Sequence, residues 1–294
     1  MNREILLIGG TGFIGTKVCE EFLRIGDKVT LLHRKLVEGF PKHLNLIHML
    51  GDRENPPAEL KKRSFDVVID TCGFRPTEFS ILDSIHTQHY IFISSVAVFS
   101  RNTLPFANED APKIDEDNLD LSGDYSHLNK HQRYGILKLE CEKYIKLRSE
   151  NFSIIRPSIV LGRNDKTRRL EKLHDLPKID APIPLHSERK FQFIDIADLA
   201  SLITHVAEQL PGDDYNLVGP SLSWQEFVDT FSKIFKLKSH LVAEDGTEFP
   251  FWDEYPNAGI RSLTSKHPWI SQYKFTNLTE SLLQFELHYK STYK

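Results

Sequence analysis

A glycine-rich turn at residues 9–15 constrains this chain more than any other feature of its sequence. The turn reads Gly-Gly-Thr-Gly-Phe-Ile-Gly and follows the apolar run 5–8, which has the length of a buried strand rather than a helix. After the turn, Val18, Phe22 and Ile25 recur at helical spacing. Strand, glycine turn and helix in this order are the context of a dinucleotide-binding turn. The pattern therefore predicts that a pyrophosphate rests on the free N–H groups at the start of the helix.

The three glycines of this turn are expected to act differently. Their spacing is Gly9, Gly12 and Gly15, instead of the commoner G-x-G-x-x-G. Gly9 allows the sharp turn, Gly12 leaves no Cβ between backbone and pyrophosphate, and Gly15 lets the helix lie close on the sheet. An ordinary tight strand-to-helix turn is the alternative. The residues expected to contact a dinucleotide here are Gly9, Thr11, Gly12, Phe13, Ile14 and Gly15.

Length and charge narrow the class of protein further. With 294 residues the chain can bury a large core in one domain or two. A net charge of −4 argues against a broad basic surface for nucleic acid or an anionic membrane. Three cysteines without metal-ligand spacing favour reduced thiols, and no metal site is expected. The first strand begins by residue 4 and no apolar run approaches ~20 residues, so a cytoplasmic protein without a membrane span is predicted.

Strands alternate with helices through the first half of the chain. This alternation predicts an α/β fold of the Rossmann type, with a doubly wound parallel sheet and right-handed crossovers. The strand at 66–70 is almost uninterruptedly apolar, as a sheet covered on both faces requires. Strands are expected at 5–8, 28–32, 44–50, 66–70, 90–95 and 153–157, and helices at 16–25, 58–63, 76–85 and 130–149.

The second half of the chain is expected to form a smaller α+β substrate lobe. Residues 162–190 are basic and proline-rich, which suits an excursion from the sheet. A helix is predicted to start in the segment 193–199 and to run to about Glu208, with Asp195 as its N-cap. Ser223 and Glu226 have capping-box spacing before a helix that ends near Phe235. We therefore predict a Rossmann domain at 1–161, to which 191–210 returns, and a substrate lobe at 162–190 and 211–294.

Two segments stay open between functional and structural interpretations. Residues 100–129 are polar, acidic and poorly periodic, so they form either a functional loop or a solvated one. The aromatic residues between Phe249 and Tyr255 either line a substrate pocket or form the core of the small lobe. A strand at 215–218 and a helix at 276–287 complete the expected elements.

Tyr134 and Lys138 are the candidate catalytic pair. They lie four residues apart on a predicted helix and therefore share one face. An ammonium within ~4–6 Å favours the phenolate of a tyrosine, whose ordinary pKa of about 10 is too high for a general base. The same lysine can hydrogen-bond a cofactor ribose. Ser95 follows a strand at the carboxyl edge of the sheet, where it can hold a substrate oxygen. The alternative is a chance pair with Lys138 in solvent.

The end of the second strand bears on the choice of cofactor. NAD sites usually place an acidic residue there for the ribose 2′-hydroxyl, and this chain has His33, Arg34 and Lys35 instead. Arg34 suits a 2′-phosphate, so NADP(H) is predicted, with NAD as the other possibility. A basic loop in solvent is the simpler interpretation of the same residues.

Five segments together resemble the NAD(P)-dependent epimerase/dehydratase family, the extended branch of the short-chain dehydrogenase/reductase superfamily. They are GGTGFIG at 9–15, ISSVAVF at 93–99, YGILK at 134–138, RPSIVLG at 156–162 and FIDIADL at 193–199. The resemblance extends to about residue 235. It implies a Rossmann domain, a small C-terminal substrate lobe and a Ser/Thr-Tyr-Lys triad, which maps onto Ser95, Tyr134 and Lys138. Ser94 is the alternative serine if the register is shifted by one.

The resemblance also implies further contacts. Asp52 matches an aspartate that meets the adenine amino group, although a turn residue after Gly51 is an equal interpretation. Cys72 and Gly73 stand where the backbone passes the cofactor, and Pro157 and Ser158 are expected beside the nicotinamide. Four basic residues could bind a substrate phosphate or carboxylate, with a solvated charge run as the simpler interpretation: Arg163, Arg168, Arg169 and Lys172.

The chain also departs from the pattern of the sugar-nucleotide members. Phe99-Ser100 replaces their usual Tyr-Gly pair, and the proline-rich run before the catalytic tyrosine is absent. Tyr125 is a competing tyrosine, but Asn129 stands where its lysine should be. The chain looks closer to smaller members called simply epimerase or reductase, and to plant relatives that bind stem-loop RNA. Some of those have lost the catalytic tyrosine or lysine.

The retained Tyr134 and Lys138 favour an enzyme. We therefore expect an oxidoreductase or epimerase acting on a sugar nucleotide or another small carbonyl or alcohol substrate. Val96 and Ala97 follow Ser95 where dehydratases usually have an acidic pair, so dehydration ranks last. A non-catalytic NAD(P)-binding sensor or an RNA-associated protein is the alternative, and the resemblance makes a homodimer through the tyrosine helix conceivable.

Overall fold

A seven-stranded parallel sheet forms the centre of the computed structural model. The structure describes residues 2–35, 40, 42–99, 106–114, 125, 130–175, 183–184, 190–237, 241–242 and 263–292. The strands are β1 Glu4–Ile8, β2 Lys28–His33, β3 Leu46–Leu50, β4 Ser64–Asp70, β5 His86–Ile93, β6 Phe152–Pro157, β7 Ile159–Leu161, β8 Ile183–Pro184, β9 Lys190–Asp195, β10 Asp214–Leu217, β11 Ser221–Ser223 and β12 Leu241–Val242. The α-helices are α1 Phe13–Arg24, α2 Lys130–Arg148, α3 Arg169–Asp175, α4 Ile196–Val206, α5 Trp224–Phe235, α6 Pro268–Ser271 and α7 Leu278–Thr292.

The order of strands in the sheet explains where a ligand can bind. It runs β3-β2-β1-β4-β5-β6-β10, so β1 lies between β2 and β4 and the direction of winding reverses beside it. Open sheets of this kind bind ligands at that switch point, outside the carboxyl ends of the strands. The predicted α/β doubly wound sheet is confirmed. Because all seven strands are parallel, the segments that follow β1, β4, β5 and β6 meet at one edge.

Helices cover both faces of this sheet. Alternate residues of β1 pack to opposite sides: Ile5 and Leu7 lie in one core with Val18 and Phe22 of α1, while Leu6 and Ile8 lie in another with Cys141 and Ile145 of α2. Burial on both faces is the reason that the central strands are almost wholly apolar. Each such side chain contributes roughly 1.5–3 kcal/mol when it is fully buried.

A smaller sheet and an aromatic core follow the main sheet. β9 pairs with β7 in parallel and with β11 in antiparallel orientation. Trp224, Phe227 and Phe231 of α5 are fully buried against Phe285 of α7. The predicted division of the chain into a Rossmann domain and a substrate lobe stays a prediction.

The segment 193–199 starts the predicted helix, but its first three residues also end a strand that was not predicted. Residues 193–195 belong to β9, whose side chains Phe193 and Ile194 lie in different cores, and α4 begins at Ile196, directly after the predicted N-cap. The predicted N-cap is confirmed, since the Asp195 carboxylate accepts a hydrogen bond of 2.8 Å from the Ala197 N–H. The capping box is also present: the Ser223 hydroxyl accepts from the Glu226 N–H, and the Glu226 carboxylate accepts from the Ser223 N–H.

Two other predicted helices are 3₁₀ segments. The first shrinks to Leu60–Lys62 and the second covers Pro76–Ser84. Arg53 Nε donates to the carbonyl oxygen of Glu78 at 2.8 Å. In an α-helix this oxygen would instead accept from the N–H group four residues further along the chain. The aromatic residues Phe249, Phe251, Trp252 and Tyr255 lie outside the described residues.

Part of the acidic stretch 100–129 has a structural role. Glu109 is 2% exposed, and its carboxylate accepts hydrogen bonds from the Asn216 N–H, the Ser265 hydroxyl and the Lys266 N–H at 2.5–2.7 Å. Glu109 therefore fastens the segment 106–114 to β10 and to residues 265–266. The described helices include none with the length and apolarity that a bilayer span requires.

A buried histidine on β5 gives the fold a pH dependence. His89 is 4% exposed and its Nε2 lies 2.8 Å from Ser153 Oγ. Burial lowers the pKa of His89 to about 4, so the ring is neutral in the folded protein. In the unfolded chain its pKa is about 6.5, and stability is therefore complete above that value and is lost as the pH falls towards 4. Between pH 7 and 4.5 we expect the titration of His89 to lower the free energy of unfolding by about 2–3 kcal/mol.

Urea unfolding at the two pH values measures this effect. His89→Gln should remove that part of the difference, because glutamine does not titrate. His86→Gln, at an exposed position on the same strand, is the matched control and should keep the wild-type difference. An unchanged pH dependence in His89→Gln would assign the effect to other groups.

Candidate active site and cofactor site

The glycine turn is built around the carbonyl of Gly9. Gly9 has φ +80°, a conformation that favours glycine, and its carbonyl oxygen accepts a 3.0 Å hydrogen bond from the Gly12 N–H. A Cβ on Gly15 would lie 2.3 Å from that same oxygen. The close approach at Gly15 is therefore to the turn itself, and not to the sheet as expected. Thr71, after β4, donates its hydroxyl to the carbonyls of Ile8 and Gly9 at 3.1 and 3.2 Å.

The start of α1 is open to an anion. Gly12 is the N-cap, no side chain among the described residues caps this end, and no acidic residue stands in the first turn. The first N–H groups of a helix lack partners within the helix and lie at its positive end. This turn therefore fits a dinucleotide pyrophosphate.

One cavity of about 260 Å³ joins this turn to the candidate catalytic residues. Its predicted lining residues are Gly9, Gly12, Phe13, Ile14, Gly15, Cys72, Ser95, Tyr134, Pro157 and Ser158. The residues that complete the lining are Thr71, Ser94, Val160, Asp165, Lys166, Thr167 and Arg169. The predicted contacts Thr11, Arg34, Asp52, Gly73 and Lys138 are not among them.

Lys138 lies behind the cavity and not in its wall. Its side chain is 2% exposed, and the ammonium donates to the carbonyls of Gly73 and Ile93, both at 2.9 Å. The rings of Phe74 and Phe92 lie 4.6 and 4.7 Å from the same nitrogen. Burial lowers the pKa of Lys138. The solvated alternative for this lysine is therefore wrong, and its charge is held one helical turn from Tyr134.

The aromatic ring of Phe74 adjoins both members of the candidate pair. Besides covering the Lys138 ammonium, it lies 6.0 Å from the ring of Tyr134, and it is 45% exposed. The competing Tyr125 is not among the cavity residues, and its hydroxyl donates to Glu140 at 2.8 Å. The structure thus brings Tyr134, and not Tyr125, to the cavity.

The two serines after β5 are held in different ways. Ser95 N-caps the 3₁₀ turn Val96–Val98, where its oxygen accepts a 3.1 Å hydrogen bond from the Ala97 N–H. Its own O–H can still donate into the cavity. Ser94 donates to the carboxylate of Glu142, which is itself bound to Arg156. Ser95 therefore has the freer hydroxyl of the two.

A buried network of ion pairs centred on Arg156 connects the elements next to these serines. Arg156, 1% exposed, donates to Glu142 at 3.0 and 2.6 Å and to Asp214 at 2.6 Å. Burial disfavours the charge of Arg156, but Glu142 and Asp214 outweigh that cost and raise its pKa. The network joins β6, β10 and α2, so it fixes Pro157 and Ser158 relative to Ser94.

A second buried pair fixes the segment after β4. Asp70 is fully buried and accepts from Arg53, from the Tyr90 hydroxyl at 2.7 Å and from the Cys72 N–H at 3.1 Å. Burial opposes ionisation, but Arg53 outweighs it and holds the pKa of Asp70 below its usual range. The ion pair of Asp70 and Arg53 fixes the backbone path of residues 70–73, which lie between the glycine turn and Lys138.

The residues expected at the adenosine end lie apart from the cavity. Arg34 is exposed directly after β2. His33 is buried beside it, with Nδ1 2.6 Å from the Lys35 carbonyl oxygen and Nε2 3.1 Å from His48 Nδ1. Asp52 accepts a 2.9 Å hydrogen bond from the Glu54 N–H, as a turn residue does. No carboxylate stands at the end of β2, as the sequence indicated.

The segment after β7 contributes cavity residues that the sequence did not single out. Asp165, Lys166 and Thr167 line the cavity, while only Arg169 does so among the four basic residues considered for anion binding. The Asp165 carboxylate is buried and accepts from the Thr167 N–H, the Thr167 hydroxyl and Arg169 at 2.7–2.9 Å. The available signal was the density of charged residues in the segment 163–169, where four basic residues accompany one aspartate. No group of three or more His, Cys, Asp or Glu in the described ranges is arranged to hold a metal ion.

Comparison with known proteins places this fold among NAD-dependent epimerases. The structure of UDP-glucuronic acid 4-epimerase from Bacillus cereus, in complex with UDP-glucuronic acid and NAD, is similar with a TM-score of 0.73 and 17% identity over 97% of this chain and 99% of that one. At this identity the likeness establishes a shared fold, the Rossmann-type α/β fold of those epimerases. No family model matches the sequence.

Two relatives are similar in sequence. The chloroplast stem-loop binding protein of 41 kDa b of Arabidopsis thaliana is 26% identical over 74% of this chain and 59% of its own length. The UDP-glucose 4-epimerase of Vibrio cholerae is 26% identical over 69% of this chain and 66% of its own. The matches thus span less than two thirds of either relative.

Proposed function

We propose that this chain is an NAD(P)-dependent epimerase or oxidoreductase of the extended short-chain dehydrogenase/reductase type. One observation carries the proposal: the open start of α1 and the side chains of Ser95 and Tyr134 line the same cavity. A dinucleotide held by the turn and a substrate held by the two hydroxyls would then share one space. The similarity to epimerases supports the same class and a sugar nucleotide as substrate.

The roles follow from the geometry of each group. When bound, a nicotinamide dinucleotide supplies the acceptor and donor of a hydride. Tyr134 exchanges a proton with the substrate oxygen, and Ser95 holds that oxygen through its O–H. Lys138 stabilises negative charge on the Tyr134 oxygen. Its side chain is buried, so water screens this interaction only weakly. Cys72, Gly73, Pro157 and Ser158 would border the nicotinamide and its ribose.

For the cofactor we propose NADP(H) over NAD. Arg34 is exposed at the end of β2, where no carboxylate competes for a ribose hydroxyl, and a guanidinium binds a phosphate through paired hydrogen bonds. Asp52 would meet the adenine. The chain would act in the cytoplasm, and a homodimer through α2 stays part of the proposal.

Titration with NADPH and NADH, followed by cofactor fluorescence, tests this proposal. We expect micromolar binding of NADPH and weaker binding of NADH. Arg34→Ala should weaken NADPH about tenfold and leave NADH within about twofold, because only the 2′-phosphate contact is removed. Equal losses for both cofactors would contradict the role of Arg34.

Gly15→Val is the negative control for the same titration. Its side chain would collide with the Gly9 carbonyl, so both cofactors should bind about 100-fold more weakly. Lys17→Ala, two positions further along α1, should bind like the wild type. Failure of a folded wild-type protein to bind either cofactor would overturn the proposed enzyme.

RNA association is the second candidate function, favoured by the similarity to the stem-loop binding protein. Filter binding to a stem-loop RNA at 50 and 200 mM salt tests it. Strongly salt-dependent retention is expected from an RNA-binding surface. The net charge of −4 and the intact Tyr134 and Lys138 favour the enzyme instead.

A further inference from the structure

The residues that line the cavity carry a net positive charge. Of its lining residues, Lys166 and Arg169 are cations and Asp165 is the one carboxylate. Arg169 donates to Asp165 at 2.8 Å, so these two charges balance each other. Lys166 has no ion-pair partner in the part of the chain that the structure describes. The uncompensated charge among the lining residues is therefore that of Lys166, which is exposed to solvent.

A rigid turn holds Lys166 in this position. Asn164 and Arg168, on either side of it, have φ values of +68° and +55°, which are uncommon for residues other than glycine. The Arg168 N–H donates to the Asp165 carbonyl at 2.9 Å, and the Thr167 N–H and hydroxyl donate to the Asp165 carboxylate. Left-handed residues persist where the surroundings enforce them, often at ligand sites.

A second polar group in the cavity lacks a partner. Ser158 is 7% exposed, lines the same cavity, and its hydroxyl has no hydrogen-bond partner among the described residues. A buried hydroxyl without a partner is costly, and a ligand atom in the cavity would satisfy it. A hydroxyl and an ammonium together suit an oxygen-rich anion.

We propose that Lys166 binds an anionic group of the substrate, a phosphate or a carboxylate, in this cavity. The Ser158 hydroxyl, which would lie at the border between the nicotinamide and the substrate, donates to the same anionic group. This inference rests on the proposed function and deepens it, because it names residues that recognise the anionic group of the substrate. A phosphate bound here could also belong to the cofactor, so the experiment separates these two sources.

The experiment uses the whole protein in two titrations. In the first, NADH is titrated into the wild type and Lys166→Glu, and we expect dissociation constants within about twofold. In the second, inorganic pyrophosphate and malonate are titrated into protein saturated with NADH. Lys166→Glu should weaken at least one of these anions about tenfold or more, and Lys166→Arg should stay within about threefold of the wild type.

Lys172→Glu is the matched control. It makes the same change of charge at an exposed position of α3 that does not line the cavity, and it should leave anion binding within about twofold. Absence of anion binding by the wild type, or equal losses in Lys166→Glu and Lys172→Glu, would overturn the inference. If Lys166→Glu weakens the binding of NADH and of neither anion, the contact belongs to the cofactor and the inference is overturned as well. Failure of the wild type to bind either NADH or NADPH would instead count against the proposed function.

Discussion

Tyr134→Phe is expected to lower turnover by about 10²–10⁴-fold while it leaves cofactor affinity within about twofold. The substitution removes one hydroxyl, which is the group proposed to exchange a proton with the substrate, and a positioned acid or base contributes rate enhancement of this order. Lys138 stays in place because its ammonium is held by the carbonyls of Gly73 and Ile93. Turnover is measured with UDP-glucose and UDP-glucuronic acid, with the C4 epimer and reduced cofactor as readouts.

Tyr125→Phe is the matched control for this loss. It removes the same atom from the competing tyrosine, whose hydroxyl binds Glu140 and which is not among the cavity residues. The turnover of Tyr125→Phe should equal that of the wild type, while its stability should be slightly lower. Retention of more than a tenth of the activity in Tyr134→Phe, or an equal loss in Tyr125→Phe, would contradict the assignment of the acid/base group.

The arrangement of the parallel sheet could be predicted from sequence because its signals are local. Short apolar runs and the glycine turn mark the strands and the first helix, and parallel strands necessarily gather their carboxyl ends at one edge. Ser95 and Tyr134 could therefore be assigned to one site, and both line the same cavity. The helical spacing of Tyr134 and Lys138 also placed them on a common face.

Contacts between distant segments could not be predicted in the same way. Lys166 reaches the cavity because two left-handed residues and the Asp165 carboxylate shape its turn, and neither is visible as periodicity. The helix expected at 76–85 is a 3₁₀ segment, and Arg53, more than twenty residues earlier, takes one of its carbonyls. The strand β9 was missed because its partners β7 and β11 lie about 25 or more residues away.

Asp70→Asn and Arg53→Met should each destabilise the protein by about 3–5 kcal/mol. Either change leaves one charged or polar group of the pair buried without its partner. Removing one partner of a buried ion pair costs more than replacing both. Asp70 is fully buried and also accepts from Tyr90 and the Cys72 N–H, so no solvent can replace Arg53 there. Urea unfolding at pH 7 measures the loss. Tyr90→Phe, which removes one neutral donor from the same carboxylate, is the graded control and should cost only about 1 kcal/mol.

The double variant Asp70→Asn/Arg53→Met separates the attraction within the pair from the cost of burying it. Because a buried pair can be replaced by uncharged groups at little cost, the double variant should recover at least 1–2 kcal/mol of the roughly 6–10 kcal/mol that additive losses predict. The segment 70–73 would still have lost its anchor beside the glycine turn, so cofactor affinity should stay reduced even where stability returns. Additive losses with wild-type cofactor affinity would mean that the pair serves the core alone and does not position the site.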